Sequence, residues 1–286
     1  MKKRKRNGMW IAIITVLLLL LGVVIFICIP FSPTAARFSH ITGEKAKDTQ
    51  DVSEVFTQAD IERLPAPVQR YFEYCGYLGT PKMAYMRASL TNVDFVMSET
   101  KTIRIDYKQM NLVRKPERFA LISSYLSGVP FEGLDSYENG RGGMKGTLAK
   151  VIPLFDQRGE EMDRACLVTW LAECLMVPNA ALQNFVCWES MDDKQAKATI
   201  TWEGVSASGI FTFSEAGELL AFRTSNRTAI DMSGKETKAD WSAYFREYHI
   251  VNGLLQPKVI QSVWHYEAGD CVYFNQNEAA VDIHYQ

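Results

Sequence analysis

An uninterrupted apolar run over residues 9–29, with no charged residue and no proline, constrains this chain more than any other feature. In a helix that rises about 1.5 Å per residue, the run extends roughly 31 Å, enough to cross the hydrocarbon core of a bilayer. Only a helix crosses that core as a single segment, because lipid offers no partners to backbone N–H and C=O groups. The run therefore predicts a transmembrane helix at 9–29.

The charges that flank this run predict its orientation. Five cations lie within residues 2–6, whereas residues 30–40 carry only Arg37. Because positively charged flanks stay in the cytoplasm, residues 1–8 are predicted to be cytoplasmic and residues 30–286 extracytoplasmic, in a single-pass protein of the cell membrane. Basic clusters are also typical of nucleic-acid binding and nuclear import, but a cluster directly beside an apolar run indicates topology.

Two kinds of processing are alternatives to a retained anchor. Small residues at 34–36 have the spacing of a signal-peptidase site, so cleavage near Ala36 stays open. The apolar run is longer than the about 7–15 residues of a signal-peptide core, which favours an anchor. Cys28 follows Ile27, where a lipidation site requires a small residue, so we interpret Cys28 as part of the apolar helix.

Composition limits the partners of the exported part. The chain has 31 basic and 33 acidic residues; without the five N-terminal cations, 26 basic residues oppose 33 acidic ones, a net charge of about −7. Such a domain is repelled by nucleic acid and by anionic lipid headgroups. The roughly 230 residues at 57–286 suffice for one large domain with its own core, or at most for two small ones.

Cysteine spacing gives no metal motif. The cysteines outside the apolar run are Cys75, Cys166, Cys174, Cys187 and Cys271. None has CxxC or CxxH spacing, so no zinc site is predicted, and no other cofactor motif is present. An odd number cannot all pair internally; one or two disulfides and buried free thiols both remain open.

The segment after the anchor is predicted to be a tether. Residues 30–56 contain helix-breaking prolines and a polar, charged stretch too poor in apolar side chains to fold alone, which indicates a linker. Residues 57–63 begin with an N-cap and an acidic first turn, which predicts a short helical turn. Pro67 at a first helical position and Gly76 as a stop predict a helix over 67–75 with one apolar face.

From residue 82 apolar residues recur with period two, the pattern of β-strands. Strands are predicted at 84–90, 102–107, 117–126, 131–138, 143–151, 196–202, 211–213, 220–222, 241–245, 260–266 and 281–285. One helix over 160–176, apolar nearly all round, is predicted to be buried among them. Short turns between consecutive strands predict an antiparallel meander, so the fold class is α+β, with a short N-terminal helix and one long buried helix inserted midway.

The stretch at 64–72, with the sequence LPAPVQRYF, resembles the opening signature of a family of uncharacterised bacterial membrane-anchored or exported proteins, each with a domain of unknown function. Later landmarks that also fit are 140–144, 171–173, Pro178 and Trp188. The resemblance covers about 60–270, nearly the whole exported part. It implies a domain boundary and carries over no catalytic residue.

The arrangement of the predicted elements is similar to the half-barrel shared by lipoprotein carriers and related lipid-binding proteins. That resemblance implies an unclosed, curved antiparallel sheet that wraps around helices and leaves an apolar cavity. It also implies a lipid or another amphipathic molecule as the ligand.

Four residues are candidates for ligand contact. The helical neighbours of Glu173 form an apolar patch with one hydroxyl, so its carboxylate is expected to have a raised pKa, which suits a general acid or a ligand contact. The alternative is a structural ion pair with an arginine or a backbone group of a neighbouring strand. Trp170 lies beside it on the helix. Arg70 and Tyr71 are candidates in the opening signature, with the alternative that they fix the first helix to the sheet.

Other motifs give little support to chemistry. The glycine-rich stretch 139–146 is followed by a strand-like segment and not by the helix that a phosphate loop needs, so a turn or bulge is predicted. A histidine metal site would require three side chains that are far apart in the sequence to come together in the fold, those of His249, His265 and His284. No GxSxG elbow supports nucleophilic hydrolysis.

Three functions follow as hypotheses. The first is a membrane-anchored exported module that binds an apolar ligand in a cavity between sheet and helices. The second is a non-catalytic interaction module of the cell envelope, with a solid core and a free strand edge or exposed apolar patch. The third is an enzyme centred on Glu173 with a second polar group in reach. The absence of a catalytic motif from the sequence favours the first two.

Overall fold

The computed structural model of the chain describes residues 2–49, 53–98, 101–231, 233–276 and 281–286, with side chains from residue 8 onward. The helices in these ranges are α1 (Lys2–Cys28), α2 (Pro33–Lys47), α3 (Gln58–Ile61), α4 (Ala66–Cys75) and α5 (Glu160–Glu173), and two 3-10 turns follow α5 at Cys174–Met176 and Pro178–Ala180. The strands are β1 (Tyr85–Ser98), β2 (Lys101–Leu112), β3 (Arg118–Leu126), β4 (Val129–Glu138), β5 (Arg141–Leu148), β6 (Ile152–Gln157), β7 (Val186–Ser190), β8 (Gln195–Trp202), β9 (Val205–Phe213), β10 (Leu219–Thr224), β11 (Thr228–Ile230), β12 (Glu236–Lys238), β13 (Asp240–Val251), β14 (Leu254–Tyr266), β15 (Gly269–Asn275) and β16 (Asp282–Tyr285).

Fourteen of these strands form one antiparallel sheet, in the order β6-β5-β4-β3-β2-β1-β15-β14-β13-β10-β9-β8-β7, with β16 also paired to β1. Most neighbours in the sheet are consecutive in the chain, as short turns require. Within the described residues β6 and β7 each pair on one side only, so the sheet is open and not a closed barrel. β11 and β12 form a separate small hairpin.

Helix α5 explains the curvature of this sheet. It packs against β4 and β5 near one edge of the sheet and also against β8 and β9 near the other. One helix reaches both regions only if the sheet curves around it, so α5 lies on the concave face. Leu167, Val168 and Leu171 on α5 are fully buried there. The predicted fold class, an α+β domain with a curved open antiparallel sheet and a buried helix inserted midway, is confirmed.

The glycine-rich stretch has a packing role beside α5. Asn139 and Gly140 form a turn with positive φ, and β5 follows directly. A Cβ atom on Gly142 would lie 2.5 Å from the carbonyl oxygen of Met162, so only glycine lets β5 approach the helix this closely.

The expectation of a linker at 30–56 is wrong for much of that stretch, because α2 occupies residues 33–47. Ser32 caps the helix by accepting from the backbone of Ala35 at 3.2 Å, and Pro33 occupies its first turn. Phe38 packs on the convex face of the sheet, in a second core cluster with Ala84, Tyr85, Met110, Leu112, Phe119, Leu121 and Leu134. The stretch is too polar to fold alone, but this face supplies the apolar surface that it lacks.

Helix α1 lies in the one stretch of the described residues that is long and apolar enough to cross a membrane. In the most apolar part of this stretch, no residue is buried against the rest of the chain. Both a membrane anchor and a signal sequence have these properties.

Candidate functional site

A cavity of about 1430 Å³ lies between the concave face of the sheet and α5. It exceeds the roughly 300–1,000 Å³ of typical small-molecule pockets. The apolar side chains that line it include Leu90, Phe95, Ile122, Phe131, Met144, Phe155, Met162, Trp241, Phe245, Ile260, Trp264, Tyr273 and Phe274. Alternation of side chains along the strands accounts for this lining, because every second residue of β13 and β14 points inward.

A buried polar network interrupts the apolar wall. Glu173, at the end of α5, accepts from Nε of Arg118 at 2.8 Å and from Nδ2 of Asn111 at 2.7 Å. Its Oε2 also accepts from Nε2 of Gln109 at 3.2 Å. The donors come from inward-facing positions of β2 and β3, so the network ties the helix to the sheet.

Arg118 is the centre of this network. Its side chain is 4% exposed, and its Nη1 donates to Asp135 at 2.6 Å. Its Nη2 donates to the hydroxyl of Tyr107. Burial alone would lower the pKa of the guanidinium, but the charge of Glu173 and the other nearby acceptors raise that pKa above its ordinary value. Arg118 is therefore a permanent cation that pairs with two carboxylates.

Two further groups at the network have altered acidity. Burial raises the pKa of the Tyr107 hydroxyl above its ordinary value, although the nearby Arg118 charge opposes the shift. Burial also raises the pKa of the Cys166 thiol, which donates to Asp135 at 3.7 Å. Both groups are therefore protonated donors at neutral pH and not nucleophiles.

Of the four ligand-contact candidates from the sequence, Glu173 lines the cavity. Trp170 is 1% exposed, and its indole donates to the carbonyl of Leu112 at 3.0 Å. Tyr71 is on the buried face of α4, and its hydroxyl donates to the carbonyl of Leu175 at 2.8 Å. Arg70, the residue before it, donates to the carbonyl of Asp193 at the surface.

The sequence reasoning missed Arg118, Gln109 and Asn111. Arg118 had a usable signal: it lies at the start of the strand predicted over 117–126, in phase with Ala120 and Ile122. A cation at an inward position of an otherwise apolar strand requires a buried partner.

Within the described ranges, the remaining titratable residues do not form a metal centre. No group of three histidine, cysteine, aspartate or glutamate side chains in the described ranges could hold a metal ion. His265 instead contacts Ser242 at 2.9 Å and Asp270 at 2.7 Å. All six cysteines are free thiols.

The fold and the cavity together define a class: a curved, open antiparallel sheet wrapped around a helix, with an apolar chamber between them. The chain belongs to the Family of unknown function (DUF6544), whose model matches residues 54–276. This confirms the family predicted from the sequence. No curated protein matches the chain.

Among solved structures the chain is similar to the LolA superfamily protein NE2245 from Nitrosomonas europaea. The two share 10% sequence identity and superpose with a TM-score of 0.36, over 77% of this chain and 92% of the other. A similarity this low adds nothing to the description of the fold given by the strand order.

Proposed function

We propose that the protein is a membrane-anchored, extracytoplasmic module that binds a lipid or another amphipathic ligand in the cavity. The observation that supports this proposal is an apolar chamber of about 1430 Å³ beneath α5. Packed protein interiors contain few voids larger than a water molecule. A chamber of this size with aromatic and aliphatic walls is suited to a ligand with a long apolar part.

The energetics favour an acyl chain. Each CH₂ group moved from water into such a chamber contributes about 0.8 kcal/mol, so a dozen contribute roughly 10 kcal/mol before the costs of ordering the ligand. The charged groups of the network around Arg118 pair with one another and need no partner from the ligand. The apolar walls remain free to contact the ligand.

The apolar run of α1 and the basic residues at the start of the same helix support the membrane part of the proposal. With the N-terminus in the cytoplasm, the positive-inside rule puts the sheet and the cavity outside the cell. The anchor then holds the cavity close to the source of lipid.

The interaction module is the second candidate function, and the free edges of β6 and β7 favour it. That hypothesis also expects a solid core. The chamber under α5 does not fit this expectation, so the ligand-binding function ranks first.

The test is native mass spectrometry of the full chain, purified in detergent from the membranes of its own host, with extraction and identification of anything bound. We expect a lipid or acylated species at one per chain. A second anchored protein purified in parallel controls for lipid carried along with the detergent. An apo mass under gentle release conditions would count against the cavity function and direct the search to a protein partner.

A further inference from the structure

Arg227 is a cation at the cavity wall, and within the described residues it has no anionic partner. It lies in the connection between β10 and β11, and its side chain is among those that line the cavity. Its Nη1 is buried from solvent and has no hydrogen-bond acceptor in the described parts of the chain. This is the opposite of Arg118, which pairs with two carboxylates in the same cavity.

Two tryptophans hold the Arg227 guanidinium in place. Its central carbon lies 4.4 Å from the ring centre of Trp241 and 5.4 Å from that of Trp264. These tryptophans are directly opposite each other on β13 and β14. Aromatic faces attract a cation and keep it oriented without neutralising its charge.

The segment that carries Arg227 is also fixed. The side chain of Asn226 accepts from the backbone of Ser208 at 2.8 Å, and the hydroxyl of Thr228 donates to Glu161 on α5 at 2.6 Å. Both neighbours of Arg227 are therefore anchored to other elements. A buried donor in a fixed orientation is preorganised for an acceptor that arrives with a ligand.

In the part of the chain that the structure describes, the carboxylates around the cavity do not supply that acceptor. The carboxylates nearest its floor, Glu173 and Asp135, are taken by Arg118. At the rim, Asp270 pairs with His265 at 2.7 Å. Asp231 accepts from the backbone of Lys235 at 3.0 Å, in its own loop.

We propose that Arg227 binds the anionic oxygen group, a carboxylate or a phosphate, of an amphipathic ligand whose apolar part fills the cavity. This inference rests on the proposed ligand-binding function and adds the chemical class of the headgroup. A guanidinium is suited to it, because its planar N–H groups match the geometry of carboxylate and phosphate oxygens.

The experiment uses the full chain in phosphatidylcholine nanodiscs with two photoreactive probes, diazirine-labelled palmitic acid and its methyl ester. Cross-linking is quantified by intact mass against probe concentration. A charge-assisted hydrogen bond is expected to make half-saturation by the acid about tenfold lower than by the ester. Arg227→Met should abolish the preference, Arg227→Lys should keep part of it, and Arg223→Gln, at an exposed arginine paired with Asp240, should keep all of it.

The outcomes separate the two levels of the proposal. Equal binding of acid and ester to the unaltered chain would overturn the role of Arg227 and leave the cavity function standing. Binding of neither probe would overturn both. In a competition experiment, inorganic phosphate is added to the chain with the acid probe bound. If phosphate alone displaces the acid, the ligand of Arg227 is free phosphate and not a lipid headgroup.

A separate observation concerns the end of the domain that lies beside the C-terminus of α1. Lys150, in the turn between β5 and β6, donates to the carbonyls of Phe26 at 3.0 Å and Ile29 at 2.6 Å. Phe26 is in the last turn of α1 and Ile29 directly follows the helix, so neither carbonyl has a partner within the helix. Next to Lys150, the side chains of Val151 and Ile152 are 57% and 52% exposed.

The cavity reaches this same end. The turns after β1, β3 and β5 share one end of an antiparallel meander. The cavity is lined there by Ser98 at the end of β1, by Glu267 in the turn before β15, and by Asp270 near the start of β15. We infer that the β5–β6 turn contacts the bilayer surface, so that the cavity opens toward lipid.

A bimane label at Ile152→Cys tests this contact in the full chain, reconstituted in phosphatidylcholine vesicles with Cys28, Cys187 and Cys271 replaced by serine. Brominated lipids should quench the label. The same label at Ile250→Cys, which is 73% exposed and at the opposite end of β13, should not be quenched. Equal absence of quenching at both sites in chains that float with the vesicles would refute the contact, whereas failure to float would refute the anchor itself.

Discussion

Replacing Arg118 by methionine is expected to lower the free energy of unfolding by about 3–5 kcal/mol. The substitution removes the buried cation between Glu173 and Asp135 and leaves two partly buried carboxylates without their shared partner. Methionine keeps much of the side-chain volume. The decrease in the free energy of unfolding therefore comes mainly from the lost charge and hydrogen bonds and not from a cavity. Urea unfolding of the chain in detergent, followed by tryptophan fluorescence, measures it.

Glu173→Gln is the matched control for Arg118→Met. Glutamine still accepts from Asn111 through its carbonyl oxygen, and Arg118 still pairs with Asp135, so the expected loss is about 1–2 kcal/mol. Equal losses for the two variants, or a loss below about 1 kcal/mol for Arg118→Met, would show that the network does not depend on the cation.

The same control bears on the enzyme hypothesis. Glu173 has a second polar group in reach, as that hypothesis requires, but the oxygen that it shares with Arg118 also accepts from Asn111 and Gln109. A carboxylate saturated by fixed donors is suited to structure more than to proton transfer. If Glu173→Gln changes stability and leaves ligand binding intact, a catalytic role for Glu173 has no remaining support.

Local patterns were sufficient for most elements of the fold, but the sequence predicted no strand at β6, β7, β11, β12 or β15. The period-two alternation on β8 and β13 and the apolar composition of α5 each identify an element without knowledge of its neighbours. The meander follows from the short turns, because a strand that follows a short turn pairs with the strand before that turn. The fold class was therefore accessible from sequence.

The features that the sequence did not predict depend on contacts between residues that are distant in the chain. Helix α2 has one large buried side chain, Phe38, and becomes stable only on the convex face formed by β1 to β4. The pair of Arg118 and Glu173 joins β3 to α5, and its existence depends on sheet register and curvature. Arg227 lies outside a regular strand, so periodicity says nothing about its direction; only the positions of Trp241 and Trp264 reveal its role.

Filling the cavity is expected to lower ligand affinity at least about tenfold, the largest effect on function that a single substitution should produce. Ala243 lies on β13 between Trp241 and Phe245, which point the same way, and all three line the cavity. Ala243 also belongs to the buried core, so the indole of Ala243→Trp has to displace some neighbouring side chains as it enters the cavity. The free energy of unfolding without ligand should therefore fall by about 1–3 kcal/mol. Tyr244→Trp adds an indole to the opposite face of the same strand and is the control.

Thermal unfolding with and without palmitic acid measures the difference. A ligand at a hundred times its Kd stabilises the chain that binds it by about 2.7 kcal/mol, which raises Tm by a few degrees for a domain of this size. The unaltered chain and Tyr244→Trp should show this shift, and Ala243→Trp, with at least about tenfold weaker binding, should show about half of it or less. A shift of equal size in all three chains would place the ligand outside the cavity, since an indole at Ala243 cannot share that space with an acyl chain.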